Sequence, residues 1–274
     1  MAKNTVDFVV RPLEGIPAEA DLVAMREVVP AATVTAKTTE EYGSREFVFT
    51  TFLPDSWPAL HREDGTVLLA LQTLAGSGDL SRDLAANLLD AFDLEPGSPL
   101  VRSTLPGPGP RLQDIVDLTG NWTVEMHNNV DYWVDPAKEI TPEIRKSLDE
   151  AAESMIDTVR LPSVNSAYWS RMGSKEFLRW SMPYSEDQVI NAIARLHARR
   201  ESAIGDARFL GAFRTCGIVI PVWELARGSE ADDIDKDVAA YWPTLKAEIE
   251  NNEPLDAAQR RAKAGIVSRQ VTLR

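Results

Sequence analysis

Short apolar runs recur in the same order in the two halves of this 274-residue chain, and that recurrence constrains the fold more than any single motif does. Val6-Asp7-Phe8-Val9-Val10-Arg11-Pro12 resembles Val130-Asp131-Tyr132-Trp133-Val134-Asp135-Pro136, with Ile16 opposite Ile140. Pro17 and Pro142 each stand ahead of a helical run, where a missing N–H is harmless. Strand-like segments follow, Thr33-Val34-Thr35 against Thr158-Val159-Arg160 and 45–54 against 175–183. Residues 59–62 then fall opposite 195–198, 64–73 opposite 206–215, and 82–86 opposite 236–240. The offset widens from 124 to 154 along the chain, as insertions in a second copy would produce. A β-rich periodicity that imitates a repeat is the competing explanation.

Each copy reads β-α-β-β-α-β-α, which places the chain in the α+β class with mostly antiparallel sheets and a C-terminal helical tail. The expected divisions are a first repeat over 1–95, a linker rich in Pro and Gly over 96–121, a second repeat over 122–252 and a basic tail over 253–274. Ser185-Glu186-Asp187-Gln188 fits a capping box ahead of the apolar face Val189, Ile190, Ile193 and Leu196. A later helix, from about Asp232, is expected to be interrupted at Pro243.

Twenty-nine Lys and Arg against 42 Asp and Glu give a net charge of −13, which repels nucleic acid and anionic lipid unless cations are gathered locally. They are gathered twice: seven basic and three acidic residues lie between Arg160 and Arg200, and five basic and no acidic ones between Arg260 and Arg274. Six of the seven tryptophans lie beyond residue 121. The candidate binding residues are therefore Arg171, Lys175, Arg179, Trp180, Tyr184, Arg195, Arg199 and Arg200, since rings interleaved with arginines can stack bases or anchor a protein partner. The plainer explanation is that the rings build a core and the arginines solvate a face.

Chemistry-bearing motifs are sparse. Ala75-Gly76-Ser77-Gly78-Asp79 sits where a phosphate-cradling loop would, but it lacks the following Lys-Ser/Thr and the third Rossmann glycine. His61, His127 and His197 are not spaced as neighbouring metal ligands, and the one cysteine, Cys216, excludes an internal disulfide and reads as a small buried thiol. Asp83 and Asp237 each follow a basic residue at an expected helix start, which suits capping; a catalytic pair is the sharper alternative. No catalytic residue, metal site or cofactor is expected from these patterns. No segment approaches the roughly 18 apolar residues of a membrane span, and the start carries no leader pattern, so the chain reads as cytoplasmic.

The stretches Arg11-Pro12-Leu13-Glu14-Gly15, Val29-Pro30-Ala31-Ala32-Thr33, Gly78 to Ala85, Gly107 to Asp114, and Arg260 to Arg274 together resemble an uncharacterised actinobacterial domain-of-unknown-function family over nearly the whole chain. Members are sometimes labelled SecA-like or topoisomerase-like, names that would require a nucleotide-binding motif absent from this sequence. The resemblance implies no activity and no catalytic residues. The expected function is a non-enzymatic binding or adaptor protein that meets a protein partner through its basic, aromatic-rich second half. RNA or ribosome association is one alternative, and an enzyme acting on a small molecule between the copies is another. Membrane contact is not expected, and the oligomeric state is not written in the pattern.

Overall fold

The computed structural model describes residues 6–74, 76–102, 104–269 and 271–272; the remaining parts of the repeat, loop and tail readings (Met1–Thr5, Ala75, Ser103, Gln270, Leu273 and Arg274) lie outside the described residues. The chain divides into two compact units, Met1–Met155 and Ile156–Arg274. It is an α+β protein, with seven α-helices among the described residues and a mostly antiparallel sheet in each unit.

The first unit holds α1 (Glu19–Glu27), β1 (Ala32–Lys37), β2 (Glu46–Thr50), β3 (Ala59–His61), β4 (Val67–Ala70), α2 (Leu80–Phe92), β5 (Ser98–Leu100), α3 (Leu112–Ile115), β6 (Val124–Met126) and α4 (Pro142–Glu153). Its sheet runs β5-β3-β4-β2-β1-β6. Alternation on β2 sends Phe47 and Phe49 to one face, where both are fully buried. The segment 96–121, expected as a linker, is stitched into this unit: β5 pairs with β3, Leu112 and Ile115 are buried, and the Leu112 N–H donates to Ser81 Oγ at 2.8 Å. Residues 122–155 also belong here. Trp133 donates from Nε1 to the Phe52 carbonyl at 3.0 Å, and Leu148 of α4 joins Val130, Leu53 and Leu68 in one apolar cluster.

The second unit holds β7 (Asp157–Arg160), β8 (Ala167–Met172), β9 (Lys175–Trp180), α5 (Glu186–Ala198), β10 (Arg208–Thr215), β11 (Ile218–Glu224), α6 (Ala231–Glu250), α7 (Ala257–Val267) and β12 (Val271–Thr272). Its sheet runs β12-β10-β11-β9-β8-β7. The capping box forms at Ser185, and the apolar face of α5 packs with Trp169, Trp180, Trp223 and the buried face of α6. Cys216 lies in the tight β10–β11 turn with φ 47°, followed by Gly217 at φ 72°, and is half-buried rather than part of a strand core. α6 runs unbroken through Pro243. Ile234 and Val238 before the proline, and Leu245 and Ile249 after it, are all buried, so tertiary packing holds both halves on one core despite the lost backbone bond.

The matched sequence segments do not all become matching elements. Val6–Val9 forms no strand, and Asp131–Trp133 is a 3-10 turn started by Asn129 Oδ1, which accepts the Asp131 N–H at 3.1 Å. Ala59–His61 is a strand whereas Arg195–Ala198 ends a helix, and Asp237 lies well inside α6 rather than at its start. What the sheets share is an order, β1-β2-β4-β3 beside β8-β9-β11-β10. They differ in direction: β2 and β4 are parallel, β9 and β11 antiparallel. The cause is the connection. The short loop 51–58 reverses the chain, so β3 runs against β2, whereas α5 carries the chain back across the sheet, so β10 runs with β9.

Candidate functional site

Most residues of the basic island are already paired or buried within the second unit. Arg171 lies over the Trp169 ring and meets Glu230 at 2.7 Å and Glu176 at 3.1 Å; these carboxylates, Glu230 first, hold its pKa above the ordinary arginine value. Lys175 is paired with Glu224 at 2.6 Å. Arg179 and Trp180 are neighbours on β9 and so point to opposite faces. Trp180 enters the core, while Arg179 is 9% exposed and donates from Nε and Nη2 to Ser170 Oγ at 3.0 and 2.7 Å. Desolvation pulls its pKa down to about 10, so it stays charged at neutral pH. Tyr184 rests half-buried on the same core as Trp180.

Arg195 is 3% exposed and closes the end of α6 by donating to the carbonyls of Glu248 at 3.2 Å and Glu253 at 2.5 Å. Arg199 meets Glu201 at 2.7 Å and Glu248 at 2.8 Å, which raise its pKa in that order. Arg200 is exposed, at φ 63°, and with His197 and Phe209 it borders an open depression of about 490 Å³.

The first unit holds a different kind of site. Where β4 ends, Gln72 donates from Nε2 to the Met25 carbonyl at 2.9 Å and anchors the loop that leads to α2. Gly78 sits so close to the Val6 carbonyl that a Cβ would fall 2.7 Å from it. Asp79 then caps α2 by accepting the Ser81 N–H at 3.1 Å, and is itself held by Arg111 at 2.8 Å. This fixed entry places Asp83 and Asn87 four residues apart, on one face of α2.

Asp83 is 5% exposed. Its Oδ2 accepts the Ser77 N–H at 2.6 Å, while its Oδ1 is shielded from solvent without any donor. A buried acceptor left in that condition costs about 1–3 kcal/mol. Asp83 lines a cavity of about 280 Å³ together with Asp55, Trp57, Asn87, Val101 and Arg102. The lip contains Asp55 and Ser56, both left-handed at φ 50° and 56°. Leu74, Val101 and Leu105, exposed by 88%, 76% and 52%, give the cavity an apolar rim. Arg102 is occupied by its neighbours: Nε donates to Asn87 Oδ1 at 2.5 Å, and Nη2 pairs with Asp90.

Sequence reading singled out Asp83 for its place near a helix start, but the other cavity residues come from three separate stretches. Of these, 100–106 fall in the Pro- and Gly-rich stretch expected as a linker, and the Pro54-Asp55-Ser56 turn is the local signal that could point to the lip. Among the described residues, no group of three or more His, Cys, Asp or Glu has the arrangement of a metal site, and no helix is long and apolar enough to cross a membrane.

Fold and cavity together define an α+β protein with two separate sheets and a cavity of ligand size in the first unit. The chain belongs to the family of unknown function DUF5926, whose model matches residues 12–274. No curated protein and no solved structure matches it.

Proposed function

We propose that this chain is a binding protein for a small molecule held in the cavity of the first unit. One observation carries the reading: Asp83 Oδ1, buried without a donor, belongs to a residue that lines a concave, apolar-rimmed space. A fragment library screened by NMR tests this, with the Trp57 indole resonance as the reporter and Val101→Trp as the blocking variant. Mutually competing fragments that move Trp57, and lose that effect in the variant, are the expected result. A library that leaves Trp57 unmoved, or hits indifferent to the blocked rim, would defeat it.

The adaptor reading of the second half is retained as a second proposal on a narrower footing. It rests on Arg200, whose exposed guanidinium stands beside the His197 and Phe209 depression. An RNA-binding version has less support, because Arg171, Lys175 and Arg199 already face carboxylates. Binding that weakens steeply with salt, and with Arg200→Glu, would favour it.

A further inference from the structure

We propose that the cavity of the first unit selects an organic cation, a primary ammonium on a compact apolar body; this rests on the small-molecule reading above. The lining carries two carboxylates, Asp55 and Asp83, and one cation, Arg102, already engaged by Asn87 and Asp90. An anion entering this space would face both carboxylates, with only the Arg102 N–H groups that Asn87 and Asp90 leave free to meet it. Asp83 Oδ1 has almost no exposed surface, so a ligand donor reaches it only with a small shift of the Asp83 side chain; an alcohol that did so would leave the carboxylate charge unopposed in a desolvated place. An ammonium supplies donor and countercharge together.

The remaining walls fit the other end of such a ligand. Trp57 offers an aromatic ring, which attracts a nearby cation by its quadrupole, and Leu74, Val101 and Leu105 supply apolar contact. A cavity of about 280 Å³ suits a compact ligand rather than an extended one. A net charge of −13 draws cations toward the protein at long range. The buried side-chain atoms without hydrogen-bond partners at Thr39, Arg82, Ser181 and Asn191 belong to residues that line neither described cavity, which sets Asp83 apart from them.

The test uses three probes of one shape: phenethylamine, 2-phenylethanol and phenylacetate. Each is titrated near pH 7, where an alkylamine is charged, and followed through the Trp57 indole resonance. The amine should saturate the shift and bind at least about tenfold more tightly than the alcohol, the value of one charge-assisted hydrogen bond, and phenylacetate should give no saturable shift. Asp83→Asn keeps an acceptor for the Ser77 N–H and should weaken the amine by about tenfold while leaving the alcohol unchanged. Equal affinity for amine and alcohol, saturable binding of phenylacetate, or an amine indifferent to Asp83→Asn would overturn the cation claim. Rim-dependent binding in Val101→Trp would then still uphold the cavity. No saturable shift from any probe in the wild-type chain would overturn both.

Discussion

Two buried charges, one in each unit, are treated in opposite ways. In the second unit, Arg195 is nearly inaccessible and is received by the Glu248 carbonyl in the last turn of α6 and the Glu253 carbonyl just after it. In the first, Asp83 is as deeply buried, yet one of its oxygens meets nothing, beside an open cavity. A charge consumed within the fold serves the fold. A charge left incomplete next to ligand-sized space is available to something else. The contrast moves the search for function from the basic second half, where composition pointed, to the first.

The sharpest way to break this contrast is to remove the satisfied charge. Arg195→Met should lower unfolding free energy by about 3 kcal/mol, since the Glu248 and Glu253 carbonyls lose their donor and the Glu248 carboxylate, 3.8 Å away, loses its cation. A loss below about 1 kcal/mol in denaturant unfolding would mean that the arginine closes nothing. Next in size is Arg179→Met. Burial pulls the folded pKa of Arg179 from 12.5 to about 10, so the penalty of holding it charged is complete below about pH 10 and is relieved only as pH rises toward its unfolded value. Replacing it should therefore raise stability at neutral pH by up to about 1 kcal/mol, and a clear loss would show that the Ser170 bonds outweigh desolvation.

In the first unit, Asp64 is held at about 2 rather than 3.8, chiefly by its hydrogen bond to Arg62. Its contribution is complete above the ordinary aspartate value and fades as pH falls toward 2. Asp64→Asn should flatten that part of the acid limb in a stability–pH profile, and an unchanged limb would remove Arg62 as the cause. The smallest effect belongs to Asp83→Asn. The Ser77 bond survives, the helix-dipole interaction weakens, and the orphaned charge disappears, so stability should change by less than about 0.5 kcal/mol. A large loss would place Asp83 among the satisfied charges, with Arg195.

Much of the architecture was legible, and for local reasons. The α5 capping box, the prolines leading into α1 and α4, and the alternation on β2 and β9 act within a few residues. The excess of basic residues between 160 and 200 belongs to that window alone, because several of their partners lie far along the chain. Arg171 meets Glu230, Lys175 meets Glu224, and Arg199 meets Glu248, so a window of neighbours counts the cations and misses the anions. The same holds for the cavity. Asp83 was visible as a carboxylate near a helix start, but its missing donor, the left-handed pair Asp55–Ser56 and the rim of Leu74 and Val101 arise only when α2, β5 and the 51–58 loop are brought together.

The seven tryptophans allow the central contrast to be tested in one experiment, because Trp57, Trp122 and Trp133 lie in the first unit and Trp169, Trp180, Trp223 and Trp242 in the second. In a phenethylamine titration of the intact chain with every indole resonance assigned, Trp57 should move saturably while the four of the second unit stay fixed. Movement of the second-unit indoles with Trp57 unmoved would contradict the account.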